Sequence, residues 1–244
     1  MTRPLRLLVC ATLITSLGLA TACDPKKPEA NATPPAATTA STAAQTAPGA
    51  AATPKADDKK ADDSKPAEAT VATIGKPAPS FTLKDEAGAE HSLDKLKGKI
   101  VVLEWTNPGC PYVVRHTKDK TMIQALEKLP KDKVAWLTID SSKHVTPDAS
   151  AKWKKEHGIT TAFLQDPEGA VGKQYGARTT PHMFVLDAEG VVRYAGAIDD
   201  DPKGEKKPEE RKNYVIEAVQ ALDKGEAVPT AETQPYGCSV KYKG

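Results

Sequence analysis

Between Asp24 and Thr70 the chain contains no Val, Ile, Leu, Met or aromatic residue; Ala, Thr, Pro, Lys and Asp dominate the segment. Such a stretch has no apolar area to bury, so nothing offsets the entropy lost when its backbone is fixed. It is predicted to stay disordered, and the core must be built from Val71 onward. Of the 244 residues, that leaves enough for one ordinary domain. The aromatic content of 5% is thus an average over a folding and a non-folding part. Lys and Arg number 34 against 32 Asp and Glu, a net charge of +2. Charges so nearly cancelled make no broad positive field for phosphates, which excludes nucleic acid as a partner.

The segment before Asp24 has a different character. Arg3 and Arg6 precede the apolar run Leu7 to Leu19, and Ala20-Thr21-Ala22 stands directly before Cys23. That order is the pattern of a secretory signal, too short for a spanning helix, so residues 1–22 are read as a signal peptide and the protein as exported. A Cys placed directly after small residues resembles the lipobox of bacterial lipoproteins. The resemblance implies lipidation at Cys23, membrane attachment through that N-terminal lipid, and a place on the periplasmic side of the bacterial cell envelope. Ordinary cleavage releasing a soluble protein is the alternative. Asp24 resembles the inner-membrane retention signal of enteric lipoproteins. Residues 23–70 then form anchor and linker, and as a flexible coil this tether spans on the order of 40 Å.

From Val71 the pattern alternates. Ser80 to Leu83 and Glu90 to Leu93 flank Asp85-Glu86-Ala87-Gly88 and read as a hairpin. Lys99 to Trp105 is a nearly continuous apolar run, suited to a strand covered on both faces. After Asn107-Pro108-Gly109 a helix is expected from Pro111, interrupted near His116 to Lys120. Val134 to Ile139 reads as a second buried strand and Asp148 to His157, closed by Gly158, as a polar surface helix. A strand at Ala162 to Leu164, a helix near Ala170 to Tyr175, a turn at Thr179-Thr180-Pro181, a hairpin from Met183 to Ala195 and a helix from Asn213 to Lys224 follow. Alternation closed by an antiparallel hairpin gives an α/β fold, a mixed sheet with helices on both faces. Residues 71–228 are read as the domain and residues 229–244 as a C-terminal tail.

The apolar strand, Cys110-Pro111 at a helix start, the Thr180-Pro181 loop and the strand pair after it resemble a thioredoxin-like fold. The lead-in Ile74-Gly75-Lys76-Pro77-Ala78-Pro79-Ser80-Phe81 resembles the redoxin branch, which holds peroxiredoxin-like proteins and envelope thiol-disulfide oxidoreductases. The likeness spans Ile74 to Ile198. It implies a cis Pro181 beside the attacking thiol, presenting the Thr180 backbone to an extended substrate. It calls for no cofactor, and its redox partner would be an envelope thiol or disulfide protein or a small thiol.

Of the four Cys, Cys10 leaves with the signal and Cys23 is the lipid candidate, so Cys110 and Cys238 remain. In an oxidising compartment two thiols form a structural disulfide, a redox couple, or no pair. Cys110, at a strand-to-helix junction, meets the unpaired N–H groups and positive dipole end that stabilise a thiolate. It is the candidate nucleophile. Thioredoxins carry Cys-x-x-Cys; here the run is Cys110-Pro111-Tyr112-Val113, so the local resolving thiol is absent. Peroxiredoxins place their peroxide-reacting Cys at the position of Val113. Cys238, in a tail with Tyr236, Gly237 and Tyr242, is the candidate resolving thiol. As a structural bond over a loop of this length it would stabilise by about 5 kcal/mol in the chain-entropy model. Glu104, a carboxylate in a doubly covered strand, is expected to have a raised pKa and is the candidate proton relay. Trp105 reads as core, His182 as a satisfied residue beside the proline loop, His116 as a helix-surface group, and Arg178 as an exposed loop residue. Lys203 to Lys212 reads as a solvated loop and helix start. A metal site of Cys110 with His116 and His182 lacks the second nearby Cys of copper-handling relatives, and no metal is expected.

Overall fold

A computed structural model of the chain describes residues 71–244. The signal peptide, Cys23 and the linker to Thr70 lie outside the described residues. The first pair of strands, β1 (Thr82–Asp85) and β2 (Glu90–Ser92), is antiparallel. Its turn is held by the Asp85 carboxylate, which accepts the N–H groups of Ala87 and Ala89 at 2.9 Å each. Leu93 starts a 3-10 turn instead of ending the strand, and its side chain is buried in the core.

β3 (Ile100–Trp105) is buried along its whole length, as its composition predicts. Alternation sends its side chains to two separate cores. Val101, Leu103 and Trp105 pack on one face with Val171 and Tyr175 of α4 (Ala170–Tyr175). Ile100 and Val102 pack on the other with Ala125 and Val219, from α2 (Thr121–Lys128) and α5 (Tyr214–Asp223). Glu104 occupies the next place in that second row.

α1 (Pro111–Lys118) follows β3, and the predicted interruption is a break at Lys120, which adopts a left-handed φ of 54° before α2 begins. Then come β4 (Val134–Asp140), α3 (Pro147–His157) and β5 (Ala162–Gln165). Thr146 caps α3 by accepting the Ala149 N–H at 3.3 Å, and Gly158 ends it in the left-handed region. After α4 come β6 (Thr179–Thr180), β7 (His182–Leu186), β8 (Val192–Gly196) and α5, where Asn213 accepts the Ile216 N–H at 3.0 Å. The seven-stranded sheet runs β2-β1-β5-β4-β3-β7-β8, parallel through β5-β4-β3 and antiparallel on both flanks. This is a thioredoxin-like fold.

The last strand, β9 (Cys238–Ser239), belongs to a separate two-stranded sheet with β6. It pairs Thr180 with Cys238 and Thr179 with Ser239, and Val240 N–H extends it by donating to Arg178 O at 3.1 Å. A two-residue pairing carries no periodic signal, so nothing in the sequence marks it.

Leu103, fully buried on the central strand, gives a direct check of this architecture. Leu103→Ala is expected to cost roughly 2–5 kcal/mol, read as a lower urea midpoint at unchanged slope.

Candidate active site at Cys110 and Cys238

The loop leaving β3 is fixed by Asn107. Its carboxamide oxygen accepts the Gly109 N–H at 2.7 Å, its carboxamide nitrogen donates to Ser142 Oγ at 2.6 Å, and its carbonyl accepts the Cys110 N–H at 2.9 Å. Cys110 is therefore held at the N-cap of α1, with Pro111 at the first helical position, where a missing N–H costs nothing. Its side chain is only 2% exposed. The Cys110 thiol donates to the Thr180 carbonyl at 2.9 Å, and the Thr180–Pro181 bond is cis, as the resemblance implies.

Cys238 lies beside Cys110 because β9 pairs with β6. Burial pushes the Cys110 thiol up, but hydrogen bonds from the Cys238 thiol, the Thr180 side chain and the Val113 and Cys238 backbone outweigh it and bring the pKa below the usual thiol value. Cys238 moves the opposite way, pushed up to about 11 by burial and then by Cys110. The pair therefore deprotonates at Cys110 first, with Cys238 as the donor to that thiolate. Both are free thiols here.

Three contacts fasten the tail. Thr233 Oγ1 accepts the Ala197 N–H at 2.8 Å, beside Gly196. The Tyr236 hydroxyl bonds to the Asp199 carboxylate and lies 3.0 Å from His116 Nε2, while its ring sits 5.9 Å from that of Tyr112 and under the Arg115 guanidinium. The Tyr242 ring packs over Gly169 and Gly172, and its hydroxyl donates to Ala177 O at 2.7 Å. Between the two tyrosines, Gly237 has a φ of 140°, and a Cβ there would collide with the Thr180 carbonyl. Only glycine lets the tail approach that closely.

His116 is not the helix-surface group that its position predicts. It is fully buried under Tyr236 and Asp199 and bonded to Thr121 Oγ1 at 3.2 Å, and burial followed by the Arg115 and Arg211 charges lowers its pKa to about 3. Arg211 likewise departs from the solvated loop expected of Lys203 to Lys212. Its side chain is largely covered and paired with Asp119 at 2.7 Å and Asp201 at 3.0 Å. Asp119 lies 92 residues from Arg211 and Asp201 lies 10 away across a loop, separations that helical spacing cannot report. Tyr236, Gly237, His116 and Asp199 have no role readable from the chain alone; the available signal is the Tyr-Gly-Cys run in an otherwise polar tail.

Glu104 is 3% exposed, and burial raises its pKa to about 7 against hydrogen bonds from Trp136 and Thr138. Trp136 Nε1 donates to it at 3.0 Å and the Thr138 hydroxyl at 3.4 Å. It borders a small cavity that His116 and Thr117 of α1 also line. Its hydrogen bonds do not reach either Cys. Trp105 is core, its Nε1 donating to Ser141 Oγ at 3.0 Å. His182 is buried and accepts the Arg178 N–H at 3.3 Å, and Arg178 is exposed. Among the described residues, no three His, Cys, Asp or Glu side chains gather as a metal site requires.

The AhpC/TSA family matches residues 74–195, half of the chain, from the lead-in to β8. The chain belongs to the AhpC/TSA family. Among its relatives is a Coxiella burnetii protein provisionally named a peroxiredoxin, 31% identical over 135 residues, covering 52% of this chain and 82% of that one. Another is the thiol:disulfide interchange protein DsbE of Escherichia coli K12, 30% identical over 149 residues, covering 59% of this chain and 76% of that protein. A crystal structure of an uncharacterized conserved protein from Geobacillus kaustophilus superposes with a TM-score of 0.62 at 28% identity, covering 70% of this chain and 93% of that one. The AhpC/TSA match ends before the tail, so Cys238 lies outside it.

Gly237→Ala is expected to lift the tail from Thr180 and raise the iodoacetamide alkylation rate of Cys110 several-fold in the reduced protein, measured by peptide mass. Glu104 binds its proton more tightly folded than unfolded between its ordinary 4.5 and about 7, so its contribution to stability falls as pH rises through that window. Asp140, raised to about 6, and other groups add to the pH dependence of both proteins. The stability of Glu104→Gln relative to wild type is therefore expected to rise from pH 4.5 to 7, by urea titration.

Proposed function

We propose that this protein is a cell-envelope thiol-disulfide oxidoreductase whose nucleophile is Cys110 and whose resolving thiol is Cys238. The observation that carries the reading is the pairing of Cys238 with Thr180, whose carbonyl accepts the Cys110 thiol at 2.9 Å beside cis Pro181, with Cys110 lowered and Cys238 raised in pKa. In the first step the Cys110 thiolate attacks one sulfur of a substrate disulfide and expels the other as a thiolate. In the second, Cys238 loses its proton and attacks the Cys110 sulfur, releasing the second substrate thiolate and leaving a Cys110–Cys238 bond. Since Cys110 is buried when reduced, substrate reaches it as Cys238 and Ser239 part from Thr179 and Thr180.

Glu104 is proposed as the proton relay to the departing thiolate. Its burial and its pKa of about 7 support that role. The signal pattern of residues 1–22 and the lipobox-like Cys23 support an exported, membrane-anchored lipoprotein on the periplasmic side, served by an envelope thiol or disulfide protein or a small thiol. Among the described residues no helix is long and apolar enough to cross a membrane.

The near-complete burial of Cys110 favours one second reading, since it admits small oxidants more readily than large ones. In a thiol peroxidase the Cys110 thiolate takes one oxygen from a hydroperoxide to become a sulfenic acid, releasing an alcohol or water. Cys238 then condenses with it, releasing water.

Turnover of a small aromatic disulfide by the full chain tests the first reading. Wild type is expected to turn over with an added dithiol, Cys110→Ser to be inactive, and Cys238→Ser to stop with a mixed disulfide on Cys110. Replacing the disulfide by hydrogen peroxide, with one thiol pair oxidised per peroxide consumed, would establish the peroxidase instead. A Cys110–Cys238 bond that opens above about −250 mV lies in the catalytic range, whereas one resisting reduction below about −300 mV is a staple in a non-catalytic interaction module.

A further inference from the structure

A cavity of about 210 Å³ opens between α2 and the segment from Pro208 to Ile216 that leads into α5, and Asp199 lines it together with Thr121, Gln124, Lys128, Glu209 and Arg211. An apolar cavity of roughly 150 Å³ already admits benzene. There is room here for a small organic molecule.

Asp199 is 1% exposed, and only half of its carboxylate is engaged. Oδ1 accepts the Tyr236 hydroxyl and the Asp201 N–H at 3.0 Å, while Oδ2 has no hydrogen-bond partner. The basic groups facing Oδ2 are His116 Nδ1 at 3.9 Å and Arg211 Nε at 4.0 Å, both beyond hydrogen-bonding reach. Each is committed elsewhere. His116 Nδ1 meets Thr121 Oγ1 at 3.2 Å, and its ring stays neutral because burial and then the Arg115 and Arg211 charges lower its pKa to about 3. Arg211 donates through Nε to Asp201 at 3.0 Å, through Nη1 to Asp119 at 2.7 Å and through Nη2 to the Lys206 carbonyl at 3.1 Å. A buried carboxylate oxygen without a donor carries a desolvation cost that a donor from outside recovers. Arg211 on one side of Oδ2, and Thr121 behind His116 on the other, are walls of the cavity, so this oxygen faces its floor.

The rest of the cavity selects what can reach it. Ala125, Pro208 and Ile216 give it an apolar wall. Lys128 and Glu209 are exposed at its mouth, and among the described residues neither has an ion-pair partner. Arg211 is outweighed by Asp119 and Asp201, so Asp199 and Glu209 together exceed the single charge of Lys128. The balance favours a cation.

We propose that this cavity binds a small primary ammonium ion, its N–H groups donating to Asp199 Oδ2 and its carbon stem lying against Ala125 and Ile216. The inference goes beyond the oxidoreductase reading and does not rest on it. The two meet at one carboxylate. Burial raises the Asp199 pKa, so a cation at Oδ2 favours the ionised form, which is the stronger acceptor for Tyr236.

The test titrates n-propylammonium into the full chain at constant ionic strength and follows the side-chain carboxamide NMR signals of Gln124 and Asn213, both of which line the cavity. Saturable shifts are expected, with a Kd in the millimolar range typical of a ligand of so few atoms. Tetramethylammonium has the charge but no N–H, and n-propanol has a donor but no charge; each is expected to bind at least tenfold more weakly. Asp199→Asn is expected to weaken n-propylammonium at least tenfold and Glu209→Gln about threefold. If Asp199→Asn does not fold, Glu209→Gln and the tetramethylammonium comparison decide. The absence of a saturable shift up to about 0.1 M overturns the inference, leaving Oδ2 to a water. Equal binding of tetramethylammonium overturns it as charge screening, and so does undiminished affinity in folded Asp199→Asn or in Glu209→Gln. None of these outcomes touches the oxidoreductase reading, which stands or falls on turnover at Cys110.

Discussion

The antiparallel pairing of Cys238–Ser239 with Thr179–Thr180 is the contact on which the site depends. Two residues of strand supply little stability by themselves, since the entropy of ordering a chain segment is comparable to what so few hydrogen bonds return. The pairing persists because the tail is anchored on both sides, at Tyr236 in a buried polar socket and at Tyr242 over two glycines of the α4 region. Register then does the rest. With Thr180 opposite Cys238 and Thr180 O at 2.9 Å from the Cys110 sulfur, the second thiol is delivered to the first without any local Cys-x-x-Cys spacing.

The socket that receives Tyr236 is unusual in its polarity. His116 and Asp199 are buried together beside the largely covered Arg211 side chain, whose guanidinium bridges toward Asp119 and Asp201. One Asp199 oxygen accepts from Tyr236 while the other lacks a hydrogen-bond partner, and burial raises the Asp199 pKa. Buried polar groups of this kind contribute little net stability compared with an apolar replacement, but they penalise any arrangement that leaves them unpaired. Here the penalty falls on a displaced tail, because lifting Tyr236 removes the hydroxyl that Asp199 and His116 share.

Local pattern makes much of the fold legible. The apolar run of β3, the interruption that becomes the left-handed Lys120, the hairpin after Pro181 and the capped helices all follow from residues within one or two turns of each other. Cys110 at a helix start is legible for the same reason, as is the strained ionisation of Glu104, since a carboxylate inside a doubly covered strand has nowhere to go. The β6–β9 pairing, the burial of His116 and the ion pairs of Arg211 are not. They join segments 58 residues apart at Thr180 and Cys238, 120 at His116 and Tyr236 and 92 at Arg211 and Asp119, and such contacts leave no periodicity. Tyr236 and Gly237 show as an ordered-looking tail, but their separate tasks, one filling the socket and one allowing close approach, need the coordinates of their partners.

The separation of the two cysteines along the chain has a consequence for biosynthesis. Cys110 ends the central strand, whereas Cys238 follows every strand of the seven-stranded sheet. A chain emerging from its N-terminus exposes Cys110 long before Cys238 exists, and the sheet can close around β3 while the tail that covers Cys110 is still missing. Proteolytic nicking between Asp223 and Tyr236 has a related effect: it separates the two sulfurs' segments and leaves the strands of the main sheet uncut. The juxtaposition of the two cysteines is thus the last-assembled feature of the domain, and an intact main sheet is no guarantee of it.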